Sequence, residues 1–218
     1  MNRIAVSRLV FEKEYPPMAE VSAEMDKLRK VNRIDQVNWD ITAYKPGVYF
    51  KIAYYKKEIY IKYFVREKYV KAEKTGINQD VYEDSCVEFF VSPRHDDGIY
   101  YNFEFNSIGA FLAGSGTGRH NSTRTDPAMA GKLRRLPSMG SEPFPERVGD
   151  QEWTLTVAIH ADILFRHEID KLSGSEFRAN FYKCGDDLSI PHYLSWNPVL
   201  CEKPDFHRPE YFGIIHFE

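Results

Sequence analysis

Two short stretches of this 218-residue chain concentrate the side chains best suited to hold or transform a polar ligand. The first is Val81-Tyr82-Glu83-Asp84-Ser85-Cys86-Val87-Glu88-Phe89-Phe90-Val91, and the second is Tyr100-Tyr101-Asn102-Phe103-Glu104-Phe105-Asn106. From Cys86 on in the first, and throughout the second, side chains alternate with the period of two that puts neighbours on opposite faces of a strand. Val87, Phe89 and Val91 take one face, and Cys86, Glu88 and Phe90 the other. Tyr101, Phe103 and Phe105 likewise oppose Asn102, Glu104 and Asn106. If the strands pair, Glu88, Asn102, Glu104 and Asn106 share one surface. Carboxylates and amides together accept and donate, which suits sugar hydroxyls. The same pattern is compatible with an ordinary solvated sheet face. It is also compatible with a glycoside hydrolase using Glu88 and Glu104, because cross-strand carboxylates can sit at the ~5–5.5 Å of retaining or ~6.5–9.5 Å of inverting enzymes.

Other patterns carry less. Gly114-Ser115-Gly116-Thr117-Gly118 is neither a GxGxxG fingerprint nor followed by Lys-Ser/Thr, and reads as a flexible loop. The seven histidines form no HExxH pair, and His192 and His207 read as hydrogen-bonded structural residues. Cys86, Cys184 and Cys201 are odd in number and lack a CxxC spacing, which speaks against a disulfide framework and a structural zinc. Asp96-Asp97 and Asp186-Asp187 are candidates for a structural calcium, although acidic pairs usually just make turns. Asn121-Ser122-Thr123 is a glycosylation sequon only in a secreted eukaryotic protein. Arg119, Arg124, Lys132, Arg134 and Arg135 read as solvated loop charges.

The elements that must position these residues are mostly strands. Val48–Tyr54 and Glu58–Phe64 flank Tyr55-Lys56-Lys57 as a hairpin. Ser85–Ser92 and Ile99–Ser107 flank the turn residues 93–98. Further strands are predicted at Gly109–Ala113, Trp153–His160, Glu176–Cys184, His192–Trp196 and Phe212–Phe217. One amphipathic helix is predicted at Val21–Leu28, inside an N-terminal extension over 1–34. Residues 114–150, rich in Gly, Ser, Thr, Pro and Arg, read as a long loop excursion. The fold class that follows is all-β, an antiparallel β-sandwich or jelly roll in a single 1–218 domain with one short N-terminal helix.

Composition agrees with a folded globule, with 43% hydrophobic and 28% charged residues. The 15% aromatic share favours strands and offers flat faces to sugar rings. A formal net charge of -3 argues against a nucleic-acid partner, which needs a basic stripe. No apolar run approaches the ~20 residues of a membrane span. Arg8 and Glu12 interrupt the N-terminal apolar residues, so no signal peptide is read. The chain as given is expected in the cytoplasm, or outside it if a leader has been removed.

Val81–Val91 with Tyr100–Asn106 resembles the paired central strands of family 9 carbohydrate-binding modules, which carry an aromatic-acidic-x-Asp-Ser-Val-Glu-x-Phe pattern there. Ser195-Trp196-Asn197-Pro198 and Phe206-His207-Arg208-Pro209-Glu210-Tyr211-Phe212-Gly213 resemble that family's closing motif. Arg178-Ala179-Asn180-Phe181 and the hairpin at 47–65 also fit, so the resemblance covers residues 35–218. It implies a non-catalytic module in polysaccharide utilisation that binds a mono-, oligo- or polysaccharide between two aromatic rings. Those rings map to Tyr82 and Phe206, with Glu88 as the sugar-bonding acid. This chain has Tyr and Phe where the family stacks with Trp, and Glu104, followed by Asn106, where the family carries Arg. Trp39, Trp153 and Trp196 are expected in the core or at its rim. A protein-interaction module that has lost its sugar remains the third reading beside binding and hydrolysis.

Overall fold

The computed structural model describes residues 1–39 and 41–218. In chain order the strands are β1 (Arg3–Arg8), β2 (Asn32–Arg33), β3 (Gln36–Val37), β4 (Gly47–Tyr55), β5 (Glu58–Ala72), β6 (Cys86–Ser92) and β7 (Tyr100–Asn106). They continue with β8 (Phe111–Gly116), β9 (Ser122–Arg124), β10 (Leu133–Pro137), β11 (Phe144–His160), β12 (Glu176–Cys184), β13 (Tyr193–Ser195) and β14 (Gly213–Phe217). One helix, α1 (Met18–Lys27), starts three residues earlier than the sequence pattern suggests and follows Pro17.

Two sheets face each other. One runs β10-β11-β5-β4, and the other runs β14-β12-β6-β7-β8-β9. Their shared core is built by strand alternation. Phe50, Ile52, Ile61, Tyr63, Leu155 and Val157 from the first sheet meet Val87, Phe89, Phe103, Phe105, Phe181 and Ile215 from the second. Phe50 stacks on Phe181 across the interface, with centroids 3.8 Å apart. These twelve side chains are at most 6% exposed, so each contributes on the order of 1.5–3 kcal/mol of burial. Helix α1 packs Val21 and Met25 against Ala53, Tyr55, Tyr60 and Ala158 on the outer face of the first sheet.

The structure departs from the sequence reading at both loop assignments. Within the 1–34 extension, β1 is a seam between the sheets, pairing parallel with β14 through Arg3–Val6 and with β4 through Ser7–Arg8. Segment 114–150 holds β9, β10 and the first half of β11, whose long pairing with β5 reaches from Phe144↔Ala72 to His160↔Glu58. Its polar composition hid these strands because β11 carries register irregularities between Phe144 and Gln151, where period-2 alternation breaks. Gly114-Ser115-Gly116, read as loop, is the buried end of β8.

At one end of the core, the sheets are joined by charge. Lys183 Nζ of β12 lies 2.9 Å from Glu67 Oε2 of β5, with both side chains at 0% exposure. Trp153 Nε1 donates to Glu67 Oε1 at 2.7 Å. Lys183 also donates to the Cys184 carbonyl and lies 2.9 Å from His192 Nε2. Burial, and then the neighbouring Lys183, hold His192 well below the ordinary histidine range, so its neutral ring accepts that bond. Removing one partner strands the other without compensation. Lys183→Met is therefore expected to cost about 3–5 kcal/mol in denaturant unfolding, and Lys183→Met with Glu67→Gln to recover part of it. A single variant as stable as the parent would show that the pair does not hold the sheets together.

Candidate functional site

The second sheet is covered on both faces. Its outer face carries a smaller cluster in which Phe90, Tyr100, Leu112 and Tyr182 pack under Trp39, Val199, Phe206 and Phe212 from the flanking segments. Register places the polar residues in rows across this face. Tyr182, Glu88, Glu104 and Leu112 form one row, and Asn180, Phe90, Asn102 and Gly114 the next. The covering is incomplete above Glu88, Asn102 and Glu104, and there a cleft of about 450 Å³ opens. That volume lies in the range of small-molecule sites.

Gly114 keeps the floor open. A Cβ there would come 2.9 Å from Ser122 Oγ and 3.0 Å from Asn102 Oδ1. Asn102 Nδ2 donates to Glu104 Oε1 at 2.8 Å. The remaining oxygens, Asn102 Oδ1 and Glu104 Oε2, are buried and have no hydrogen-bond partner. Cys184 Sγ donates to Glu88 Oε1 at 3.0 Å.

The walls come from four loops. Tyr82 sits on a 3-10 turn, Val81–Glu83, whose Tyr82 and Glu83 carbonyls accept from the Asp186 and Asp187 amides. Asp186 and Tyr193 line the same wall. Arg119, Ser122 and Arg124 line the cleft from the β8–β9 region. Pro204-Asp205-Phe206-His207 closes the far side. Phe206 is 7% exposed and stacks on Tyr182 at 4.1 Å and 13°. Its free surface is a wall rather than an open plate, whereas Tyr82 is partly exposed.

The structure thus places Tyr82, Glu88, Asn102, Glu104 and Phe206 around one cleft and leaves Asn106 out. Asn106 is fully buried, donating to Asp84 Oδ2 and the Lys74 carbonyl and accepting from the Ala110 amide. The next row of the sheet puts it under the 73–84 loop, which Asp84 braces through the Glu73 and Lys74 amides. Sequence reading missed Arg119, Arg124, Asp186, Tyr193, Asp205 and His207 as cleft residues. Alternation cannot reveal loop residues that fold over a sheet. The two arginines are ion-paired rim groups, Arg119 with Asp205 at 3.6 Å and Arg124 with Asp80 at 3.2 Å. Trp153 and Trp196 lie in the main core and Trp39 in the smaller one.

Neither acidic pair fits a calcium. Asp97 accepts from the Ile99 amide and pairs with His167 Nε2 at 2.8 Å, while Asp186 faces Tyr193. Among the described residues, the one gathering of three potential metal ligands is Cys86, Glu88 and Cys184, with atoms within 4.8 Å of one another. Burial pushes Cys86 up to about 12 and Cys184 well above the ordinary thiol range, so both remain thiols. In the ligand-free chain the trio is a hydrogen-bonded floor.

Electrostatically the cleft is acidic at depth. Burial, then the facing Glu104, holds Glu88 well above the ordinary carboxylate range. Burial pushes Glu104 up to about 7 and Asp186 up to about 6. Burial likewise lowers His207 to about 4, leaving a neutral ring whose Nδ1 lies 2.7 Å from the Tyr100 hydroxyl.

A β-sandwich with a polar, aromatic-walled cleft on one sheet face is a scaffold suited to hold a small polar ligand. The chain belongs to carbohydrate-binding family 9, whose family model matches residues 19–217. A proposed carbohydrate-binding protein from Bacteroides uniformis ATCC 8492, solved by crystallography, is 38% identical over 99% of both chains with a TM-score of 0.93. Two structures of family 9 modules from Caldicellulosiruptor kristjanssonii share the fold at 13% and 12% identity. The glucose complex has a TM-score of 0.53, covering 100% of this chain and 96% of that one. The cellotriose complex has 0.58, covering 100% and 94%. No curated protein matches the chain.

The raised Glu104 carboxyl makes stability pH-dependent. The folded chain keeps a proton to about pH 7 that the unfolded chain, at an ordinary 4.5, gives up earlier. The contribution is complete below about pH 4.5 and is lost as pH rises through about 7. Glu104→Gln removes this dependence, so relative to the parent it should gain on the order of 2–3 kcal/mol between about pH 5 and pH 8 in parallel denaturant melts. Parallel pH profiles for the two proteins would rule out a proton held there.

Proposed function

We propose that the chain binds a sugar without transforming it, in the service of polysaccharide utilisation. The observation that carries this reading is the cleft floor, where Asn102 Oδ1 and Glu104 Oε2 are buried oxygens with no hydrogen-bond partner. Buried polar atoms are nearly always paired, so two unpartnered oxygens beneath an opening suit a ligand whose hydroxyls can both donate and accept there. Tyr82 supplies a partly exposed ring on which an apolar sugar face can stack, and the Phe206 edge closes the opposite wall. Membership of family 9 and the likeness to the Bacteroides uniformis protein support the same reading.

Hydrolysis fits the geometry less well. Glu88 and Glu104 are directly opposed on neighbouring strands and both lie in the floor. A sugar in the cleft would meet them from one side, whereas glycosidase carboxylates flank the scissile bond.

Titration of the parent with mono- and oligosaccharides by calorimetry or NMR tests the proposal. Saturable sugar binding is expected, weakened at least about tenfold by Tyr82→Ala or Asn102→Ala, which corresponds to ~1.4 kcal/mol or more. No glycoside should turn over. Response to no sugar at all would leave the interaction-module reading. Turnover abolished by Glu88→Gln would make the protein an enzyme.

A further inference from the structure

We infer that the cleft selects a sugar bearing a primary ammonium group, a 2-amino-2-deoxy sugar, over its neutral counterpart, because its floor and wall gather three carboxyl groups with which no cation among the described residues forms a direct ion pair. The inference rests on the sugar-binding reading above and specifies the ligand class.

Three acids point at the same space: Glu88 and Glu104 from the floor, and Asp186 from the wall. Glu88 and Glu104 are 3% and 4% exposed. Among the described residues no Lys, Arg or His pairs within 4.0 Å with any of the three; Arg119 and Arg124 act on them only through space, from a rim where Asp205 and Asp80 engage them. The one neighbouring histidine, His207, is held neutral by burial. The deep cleft therefore asks for positive charge as well as for donors. A neutral hydroxyl leaves Glu104 with the proton that burial keeps on it up to about pH 7, whereas a cation draws the carboxylate form. An ammonium supplies three N–H donors and the charge together, and charge-assisted bonds are roughly twice as strong as neutral ones.

A metal ion is a poorer answer to the same demand. Among the described residues the carboxylates of Glu88, Glu104 and Asp186 do not form a group whose oxygens lie within 4.8 Å of one another. One small ion cannot bridge that spread, but a sugar ring can. It can present the ammonium to Glu104 while an adjacent hydroxyl donates to Asn102 Oδ1. The raised carboxyl groups fit this assignment, since a cation makes ionisation of Glu104, at about 7, and Asp186, at about 6, favourable at neutral pH.

The test is an NMR titration of the intact chain with glucosamine, glucose and N-acetylglucosamine, paired with a chitosan trisaccharide against cellotriose. A pH of about 6.5 keeps the amine protonated. Glucosamine is expected to bind at least about tenfold tighter than glucose, and acetylation to remove the gain. Glu104→Gln, which keeps the shape and loses the charge, should weaken glucosamine more than glucose and bring the glucosamine-to-glucose ratio to about one. If that variant misfolds, Asp186→Asn at the partly exposed wall should narrow the same ratio. Equal or tighter binding of glucose, or of the acetylated sugar, overturns the inference and leaves the sugar-binding reading standing. Binding of none of the five ligands overturns both.

Discussion

The second sheet is buried on both faces, and one of those faces carries the polar groups Glu88, Asn102 and Glu104 beneath an opening. The rest of the structure follows from that constraint. Strand alternation sends Val87, Phe89 and Val91 to the main core and, by the same geometry, must send Glu88 the other way. Glu104 and Asn102 arrive beside it through the register of β7. A sheet open to solvent would hydrate these groups at no cost. Here aromatic side chains from the flanking segments roof the same face, so the carboxylates lie in a low-dielectric cleft and hold their protons.

The roof stays in place through contacts made behind the cleft rather than in it. Tyr182 stacks on Phe206 and donates to its carbonyl, tying the closing segment to β12. The Asp186 amide pins the Tyr82 turn, and Asn106 with Asp84 fixes the loop beneath. Below these, Lys183 and Glu67 join the two sheets at the end of the core. Each wall thus has its own attachment to the sheet. A wall residue can be changed without releasing the others, which is the arrangement expected of a largely preformed site.

How much of this could be read from the sequence depends on which elements obey a period. β6, β7 and β12 alternate cleanly, so their boundaries and the faces of Glu88, Asn102 and Glu104 were legible. The association of Tyr82 with Phe206 came through motif resemblance, since residues 124 positions apart share no periodic signal. Strands with bulges or polar composition were not legible. β11 begins at Phe144 but alternates regularly only from Gln151, and β9 is three exposed residues, Ser-Thr-Arg. Arg119 and Asp186 look in sequence like any turn charge, and only the folded loops bring them over the sheet. Asn106 shows the reverse failure. Correct alternation put it on the correct face, but one row too far along the strand, where a loop covers it.

Burying Glu88 and Glu104 side by side lowers the stability of the ligand-free fold at neutral pH, and nothing in the packing requires it. A leucine pair at these cross-strand positions would join Leu112 and Phe90 as ordinary core. The large inter-sheet core, in which more than thirty buried side chains interdigitate, supplies stability enough to tolerate the loss. A local cost of this kind, carried by a well-packed scaffold and directed into an opening, is the physical mark of a site kept for a ligand. The unpartnered oxygens of Asn102 and Glu104 say the same thing more directly. A Cβ at Gly114 would stand 3.0 Å from Asn102 Oδ1, so glycine there leaves that oxygen unobstructed.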